Sequence, residues 1–350
     1  MNTPQFATGA YFDQRTGQVT IDNQGQSTYV GSRPLKANKR TGQVLMTTER
    51  GVVVNSLLRR DEWQQLDAVI HQAAHIRLTA VNDLRTRGLV SAIGSLGTLT
   101  TQWTQSSEMT AANVSMTGRS TGNRDRVDNK IVGRPVPITF KEFDIGKREL
   151  EASRILQNPV DMANASDSAI VVAEALEGLL VNGDTSVIFG GDTLYGYTTE
   201  PNRNTDTAAN YGGGDWGTLS NVVPTVSGMI AAANADRYFR PYVLYASTVQ
   251  YNQANTNFFT DGSGQNGIQR LLQIDSLEAV RPCDTLADGN LVLVQMTPNV
   301  VEWAEHMGIT VVEWMSGDGM TAHFKVMAVA TPKVKSDHSG GSGIVHATGA

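Results

Sequence analysis

Hydrophobic and polar positions divide the chain into two long helical stretches, a polar gap between them, and a later region where helices and strands alternate. The clearest stretch is residues 161–182, DMANASDSAIVVAEALEGLLVN. Met162, Ala165, Ala169, Val172, Ala173, Leu176, Leu179 and Leu180 recur at three- and four-residue steps, which puts them on one helix face. Asn164, Asp167, Glu174 and Glu177 fall elsewhere and give a polar side, while Ile170 and Val171 leave a second apolar patch. Pro159 and Asp161 suit a first turn and cap, and Asn182-Gly183 suits the left-handed residue that ends a helix. A core helix of any globular domain has this pattern, so it fixes an element and not a function.

The same spacing predicts a helix over residues 61–87, carried by Trp63, Leu66, Ala68, Val69, Ile70, Ala73, Ile76, Ala80, Val81 and Leu84, with Asp61 as cap and Gly88 as stop. Residues 94–134 then lack a buried stripe, contain five glycines, and carry Arg119, Arg124, Arg126, Lys130 and Arg134. A gap of that length is uncommon as a plain loop in a compact domain. A protruding two-stranded hairpin would satisfy its own hydrogen bonds, and being marginal alone it would rest on another molecule. Residues 136–143, VPITFKEF, alternate as a strand. Val222, Val223, Val226, Met229, Ile230 and Ala233 repeat the helical stripe, with Pro224 in the first turn, where its missing N–H costs nothing. Further strands are predicted at 242–246, 291–295, 309–313 and 321–331, and a short helix at 267–272. From Lys335 the composition turns to Gly, Ser and His and reads as loose.

Charge adds what the pattern leaves out. The 350 residues are 40% apolar and 18% charged, an ordinary globular balance able to bury a core, and the net charge is −6. Residues 1–60 hold eight Arg and Lys against three Asp and Glu, a net of +5 that leaves −11 on the remainder. A basic arm on an acidic body suits an anionic partner, either nucleic acid or another subunit, and Arg33, Lys36, Lys39 and Arg40 are the residues to carry that contact. There is no long apolar run, and the first residues have neither the basic end nor the apolar middle of a signal peptide, so a protein neither secreted nor membrane-spanning is expected. Cys283 is the only cysteine, which excludes an internal disulfide framework and a thiolate cluster.

Catalytic patterns are weak. Gly262, Gly264 and Gly267 satisfy G-x-G-x-x-G, but a dinucleotide site needs that loop directly after a buried strand, and the Asn- and Gln-rich residues before it make a poor one. His71 and His75 stand four apart, yet Gln72 is where a zinc protease carries its glutamate. His306 lies near Glu302 and Glu305 without a nucleophile elbow, and Cys283 has nothing in view to lower its pKa. No cofactor is expected.

The order of the pieces is more telling than any motif. A basic arm, a helix, a long polar hairpin, a strand running into Lys147-Arg148-Glu149-Leu150, a long helix ending Val181-Asn182-Gly183, and then an alternating region closed by a late strand resembles the tailed-bacteriophage major capsid and encapsulin family. Asp61 to Asp67 is similar to the start of the encapsulin N-terminal helix, Tyr195-Gly196-Tyr197 to the glycine turn after the spine helix, and Pro241 to Leu244 to the strand after the next helix. The likeness covers about 61–335. It implies an α+β chain with the Hong Kong-type (HK97-like) capsid fold: an N-terminal arm (1–60), a helix region (61–93), an extended hairpin (94–135) lying over a neighbour through Arg119, Arg124, Arg126 and Lys130, a peripheral domain (136–244) with its spine helix at 161–182, an axial domain (245–315), a return strand (316–337) and a flexible tail (338–350).

Encapsulins usually start close to the first helix, and the basic arm departs from them. The resemblance therefore implies a major capsid protein of a tailed bacteriophage, a structural and not a catalytic role, with pentamers and hexamers closing into an icosahedral shell around double-stranded DNA. Its implied partners are copies of itself, a separate scaffolding protein, a portal, a decoration protein and packaged DNA, with no membrane. Its implied location is the virion, assembled in the host cytoplasm. Some family members join chains through a lysine–asparagine bond, for which Lys130 is the candidate lysine. An encapsulin-type compartment and a nucleotide-dependent enzyme using Gly262–Gly267 remain as the alternative readings.

Overall fold

The structure, a computed structural model, describes residues 60–350 apart from 108, 118, 120–123, 157–162 and 260–263, together with short strands among the first fifty-five residues. Those strands are β1 (Tyr11–Phe12), β2 (Val19–Thr20), β3 (Tyr29–Val30), β4 (Arg33–Pro34), β5 (Lys36–Ala37), β6 (Val44–Thr47) and β7 (Val53–Asn55). The chain forms two compact units. One comprises residues 1–73, 140–170 and 309–327, and the other residues 74–139, 171–308 and 328–350. Among the described residues, no helix is long and apolar enough to cross a membrane.

The expected helix over 61–87 is two helices, α1 (Arg60–Arg77) and α2 (Ala80–Thr86), with Leu78 and Thr79 between them. Apolar spacing runs through the break, so periodicity alone could not place it. The helix expected at 161–182 is α4 (Ala163–Val181). Ala165, Ala169, Val172, Ala173, Leu176 and Leu180 are buried as their spacing predicts. Glu177 is not on a polar side; it is buried at 3% exposure. Residues 147–150, into which a strand was expected to run, open helix α3 (Lys147–Leu156), a run of strong helix formers.

In the first unit, β11 (Ile138–Gly146) lies beside β19 (Thr321–Val334), which in turn lies beside β18 (Val301–Met315). Phe143 stacks on Phe324 at 5.1 Å, and Lys325 sits 2.7 Å from Glu142 and 4.2 Å over the Phe140 ring.

In the second unit, β8 (Val90–Ala92) pairs parallel with the start of β18, Trp303 facing Val90. Two antiparallel hairpins follow, β9 (Thr100–Ser106) with β10 (Asn129–Pro135), and β12 (Gly183–Phe189) with β13 (Asp192–Tyr195). The main sheet has the order β14-β20-β17-β15-β16, from β14 (Asn204–Thr207), β15 (Tyr242–Ser247), β16 (Leu277–Cys283), β17 (Leu291–Gln295) and β20 (Ile344–Thr348). Its two outer pairs are parallel and its two inner pairs antiparallel.

Helices α5 (Val222–Ala235), α6 (Thr248–Thr256) and α7 (Gly267–Leu271) close on one face of this sheet. Val226, Met229, Ile230, Ala233, Ala254 and Leu271 bury there against Tyr242, Leu244, Leu291, Leu293 and Val345. Pro224 does lie in the first turn of α5. From the other face Tyr245 stacks on Tyr197 at 6.1 Å and donates to Asp83 of α2 at 3.2 Å. Helix α4 ends at Gly183, whose φ of +67° is open to glycine, and its last carbonyls are taken up by the next segment: Tyr197 N–H donates to Leu180 O and Thr199 Oγ1 to Asn182 O.

Two expected boundaries do not hold. The division at 244/245 falls inside the single strand β15, and α5, placed by sequence order with the peripheral residues, packs on β15 because that sheet is where its apolar stripe is buried. Residues 338–350 are not a loose tail. Ile344, Val345 and Ala347 are fully buried in β20, between β14 and β17, and the Gly/Ser composition before them had concealed a short apolar strand.

Candidate assembly surface

Within the polar gap at 94–134, β9 and β10 pair as an antiparallel hairpin. Its strands pair from Pro135 opposite Thr100 out to Asn129 opposite Ser106, and Ser107 N–H extends the ladder to Asp128 O at 2.9 Å. Further out, Thr110 N–H donates to Asp125 Oδ2 at 2.8 Å, and that bond with a second from the Arg126 amide lowers the Asp125 pKa. Beyond that point the apolar side chains have no cover: Val114 is 99% and Met116 103% exposed, and Met109 and Ile131 are also open to solvent. Arg119, Arg124, Arg126 and Lys130 are exposed along the same element, Lys130 opposite Gln105. Exposed apolar side chains and exposed cations thus lie together on one element.

The root is built differently. Burial along β10 rises from exposed at Asn129 to buried at Gly133, Arg134 and Pro135. Arg134 is 4% exposed, with its guanidinium carbon 5.3 Å from the Trp103 ring centre and 4.9 Å from that of Tyr195. Its Nη2 donates to Glu200 Oε2 and its Nη1 to Gly133 O. Burial pushes the Glu200 carboxyl up, and the Arg134 cation opposes that shift. Arg203 donates to the Glu200 carbonyl at 2.8 Å and to His346 Nδ1 at 3.4 Å. Burial first, and then the Arg203 charge, push His346 down to about 4. A polar chain thus runs from the hairpin root to β20 in the main sheet. Thr331 Oγ1 adds a bond to Pro135 O at 2.8 Å.

A second buried carboxylate holds the helices of this unit together. Thr79 makes no side-chain cap on α2, and Glu177 of α4 does so in its place, accepting Ala80 N–H at 2.6 Å and Val81 N–H at 3.2 Å. Burial raises its pKa, and those amides oppose the rise. Neither this cap nor the Arg134–Glu200 pair was assigned from sequence, because the start of α2 falls inside a stretch that read as one continuous helix.

The other sequence candidates separate. Lys39 and Arg40 lie outside the described residues, and Arg33 and Lys36 fall in β4 and β5, whose side chains are not described. His71 is exposed, 3.6 Å from Asp67. His306 bonds Ile93 O, while Glu302 and Glu305 pair with Lys335 and Arg85. Gly267 opens α7 behind an Asn266 capping box, and among the described residues the element before it is helix α6 and not the strand a dinucleotide loop requires. Burial raises the Cys283 thiol, consistent with an inert side chain.

Comparison with known proteins gives one consistent answer. The chain is similar to the virus-like particle of Pyrococcus furiosus (TM-score 0.57, 13% identity, covering 81% of this chain and 98% of that one) and to the capsid of Myoviridae phage XM1 (TM-score 0.56, 14% identity, 76% and 91%). In sequence it is 22% identical over 279 residues to the type 1 encapsulin shell protein EncA of Myxococcus xanthus strain DK1622, covering 79% of this chain and 90% of that one. The fold is therefore the Hong Kong-type capsid fold of phage major capsid proteins, shared with encapsulins, a capsid-type shell-protein fold. Residues 52–347 match the family described as "Family of unknown function (DUF6260)", and the chain belongs to that family.

Proposed function

We propose that this chain is the major capsid subunit of a tailed bacteriophage, assembling as pentamers and hexamers into an icosahedral shell around double-stranded DNA. The observation that carries the reading is the hairpin: a ladder anchored at its root and ending in fully exposed Val114 and Met116 among exposed arginines suits a second chain lying against it. In this reading the hairpin lies over the neighbouring subunit, and its cations meet a body whose net charge beyond residue 60 is −11. The sheet with α5 to α7 is the axial part that meets its copies around a symmetry axis. The basic arm, through Arg33, Lys36, Lys39 and Arg40, contacts DNA or a neighbour. The role is structural and not catalytic, in the virion, with scaffolding, portal and decoration proteins as further partners.

The likeness to EncA favours one second reading, an encapsulin-type compartment holding protein cargo. Particle mass by light scattering of protein purified from its native source, with negative-stain imaging and nuclease-protected DNA assayed on the same sample, separates the two. Closed megadalton shells containing DNA are expected. Shells holding protein cargo without DNA would favour the compartment, and a monodisperse monomer under every salt condition would refute both.

A further inference from the structure

The hairpin is embedded only at its root, so whatever fixes the root fixes the direction of everything beyond it. Of its two strands, β10 is exposed at Asn129, Lys130 and Ile131 and buried only from Gly133 onward. At that point Arg134 is held on three sides: the Trp103 ring of the partner strand, the Tyr195 ring of β13, and the Glu200 carboxylate beyond it. The planar guanidinium between two rings, with a carboxylate in its edge, has one orientation. Trp103 Nε1 and Arg134 Nε are buried without a hydrogen-bond partner among the described residues, so the arrangement is not the one that satisfies most polar atoms.

A buried ion pair is a poor source of stability, because removing both charges from water offsets most of their attraction, and apolar replacements of similar volume are often as stable. What apolar replacements lose is the angular constraint. The geometry points to the Arg134–Glu200 pair as the joint that sets the direction in which the hairpin leaves its unit, a positioning role and not a stabilising one. Glu200 is in turn held by Arg203, which reaches His346 of β20, so the joint is referred to the main sheet and not to another loop. This inference rests on the assembly reading only for its biological use; the geometry stands without it.

The test measures direction separately from stability. Spin labels on Ala112→Cys near the hairpin tip and Ala231→Cys on the exposed side of α5, with buried Cys283 left in place, give a tip-to-body distance distribution by pulsed electron resonance in the full chain. In the native background a single narrow peak is expected. In the double replacement Arg134→Met with Glu200→Leu, the melting temperature is expected to be unchanged or higher while the narrow peak is lost to a broad distribution. Arg134→Lys, which keeps the charge but not the planar fork, is expected to broaden the peak partially, and it serves alone if the double replacement does not fold. A peak as narrow as the native one in a folded variant would overturn the proposal. Shell yield, read on the same samples, bears on the assembly reading: a broadened tip with undiminished yield would leave the joint standing and count against the hairpin as the assembly element.

Discussion

Replacing Glu177 tests whether a carboxylate from one helix supplies the cap that another helix lacks. In Glu177→Ala the Ala80 and Val81 amides lose their acceptor inside the protein. Each buried unsatisfied amide costs about 1–3 kcal/mol, and removing a charge that burial disfavours returns part of that, leaving a net loss of about 2–4 kcal/mol. Glu177→Gln keeps one acceptor but turns an NH2 toward the second amide, for a loss of about 1 kcal/mol. Burial holds the native carboxyl above its usual 4.5, so the folded chain keeps that proton to higher pH than the unfolded chain. The stability this brings is complete below 4.5 and is lost as pH rises through the raised value, whereas glutamine titrates nothing. The native chain's advantage over Glu177→Gln should thus be greater near about pH 5 than at about pH 7. Urea midpoints of the unassembled subunit at both pH values measure this, and hydrogen exchange of peptides spanning α2 locates it. An alanine variant within about 0.5 kcal/mol of native, with α2 exchange unchanged, would refute the cap.

Acid should act on His346 with the opposite sign. Its folded pKa of about 4 lies below the ordinary 6.5, so its contribution is present above 6.5 and fades toward 4, and His346→Gln should remove about 1 kcal/mol of the loss between about pH 7 and pH 5 after allowance for solvent screening, read from urea midpoints at the two pH values. Leu176, 1% exposed in α4, should cost about 2–5 kcal/mol as alanine, while Val171→Ala at 47% exposure should stay within about 0.5 kcal/mol, both by urea denaturation. Val114→Ser with Met116→Ser should leave the melting temperature of the free subunit unchanged and lower the yield of closed particles by light scattering, since neither side chain has cover within its own chain.

What could be read without coordinates was whatever repeats. The stripes of α4 and α5 and the buried strands β15 and β17 were visible because burial imposes a period on the sequence, and the hairpin because residues 94–134 lack one. What escaped depends on a single partner distant in the chain. Glu177 read as a polar-face residue because its acceptor role is set by Ala80, 97 residues away. Arg134 read as one more cation of a basic patch, and only its placement between Trp103 and Tyr195 separates it from Lys130. Strand β20 was hidden by the Gly and Ser that precede it.

Strand β20 also sets a timetable. It sits between β14 and β17, although its residues follow those of β17 by about fifty positions and those of β14 by more than a hundred. During synthesis β17 and β14 each wait with an unpaired edge until residue 348 is made, and the main sheet cannot close before then. A chain in which β20 has not yet been made therefore carries two open strand edges, and those edges are where it would pair with a wrong partner.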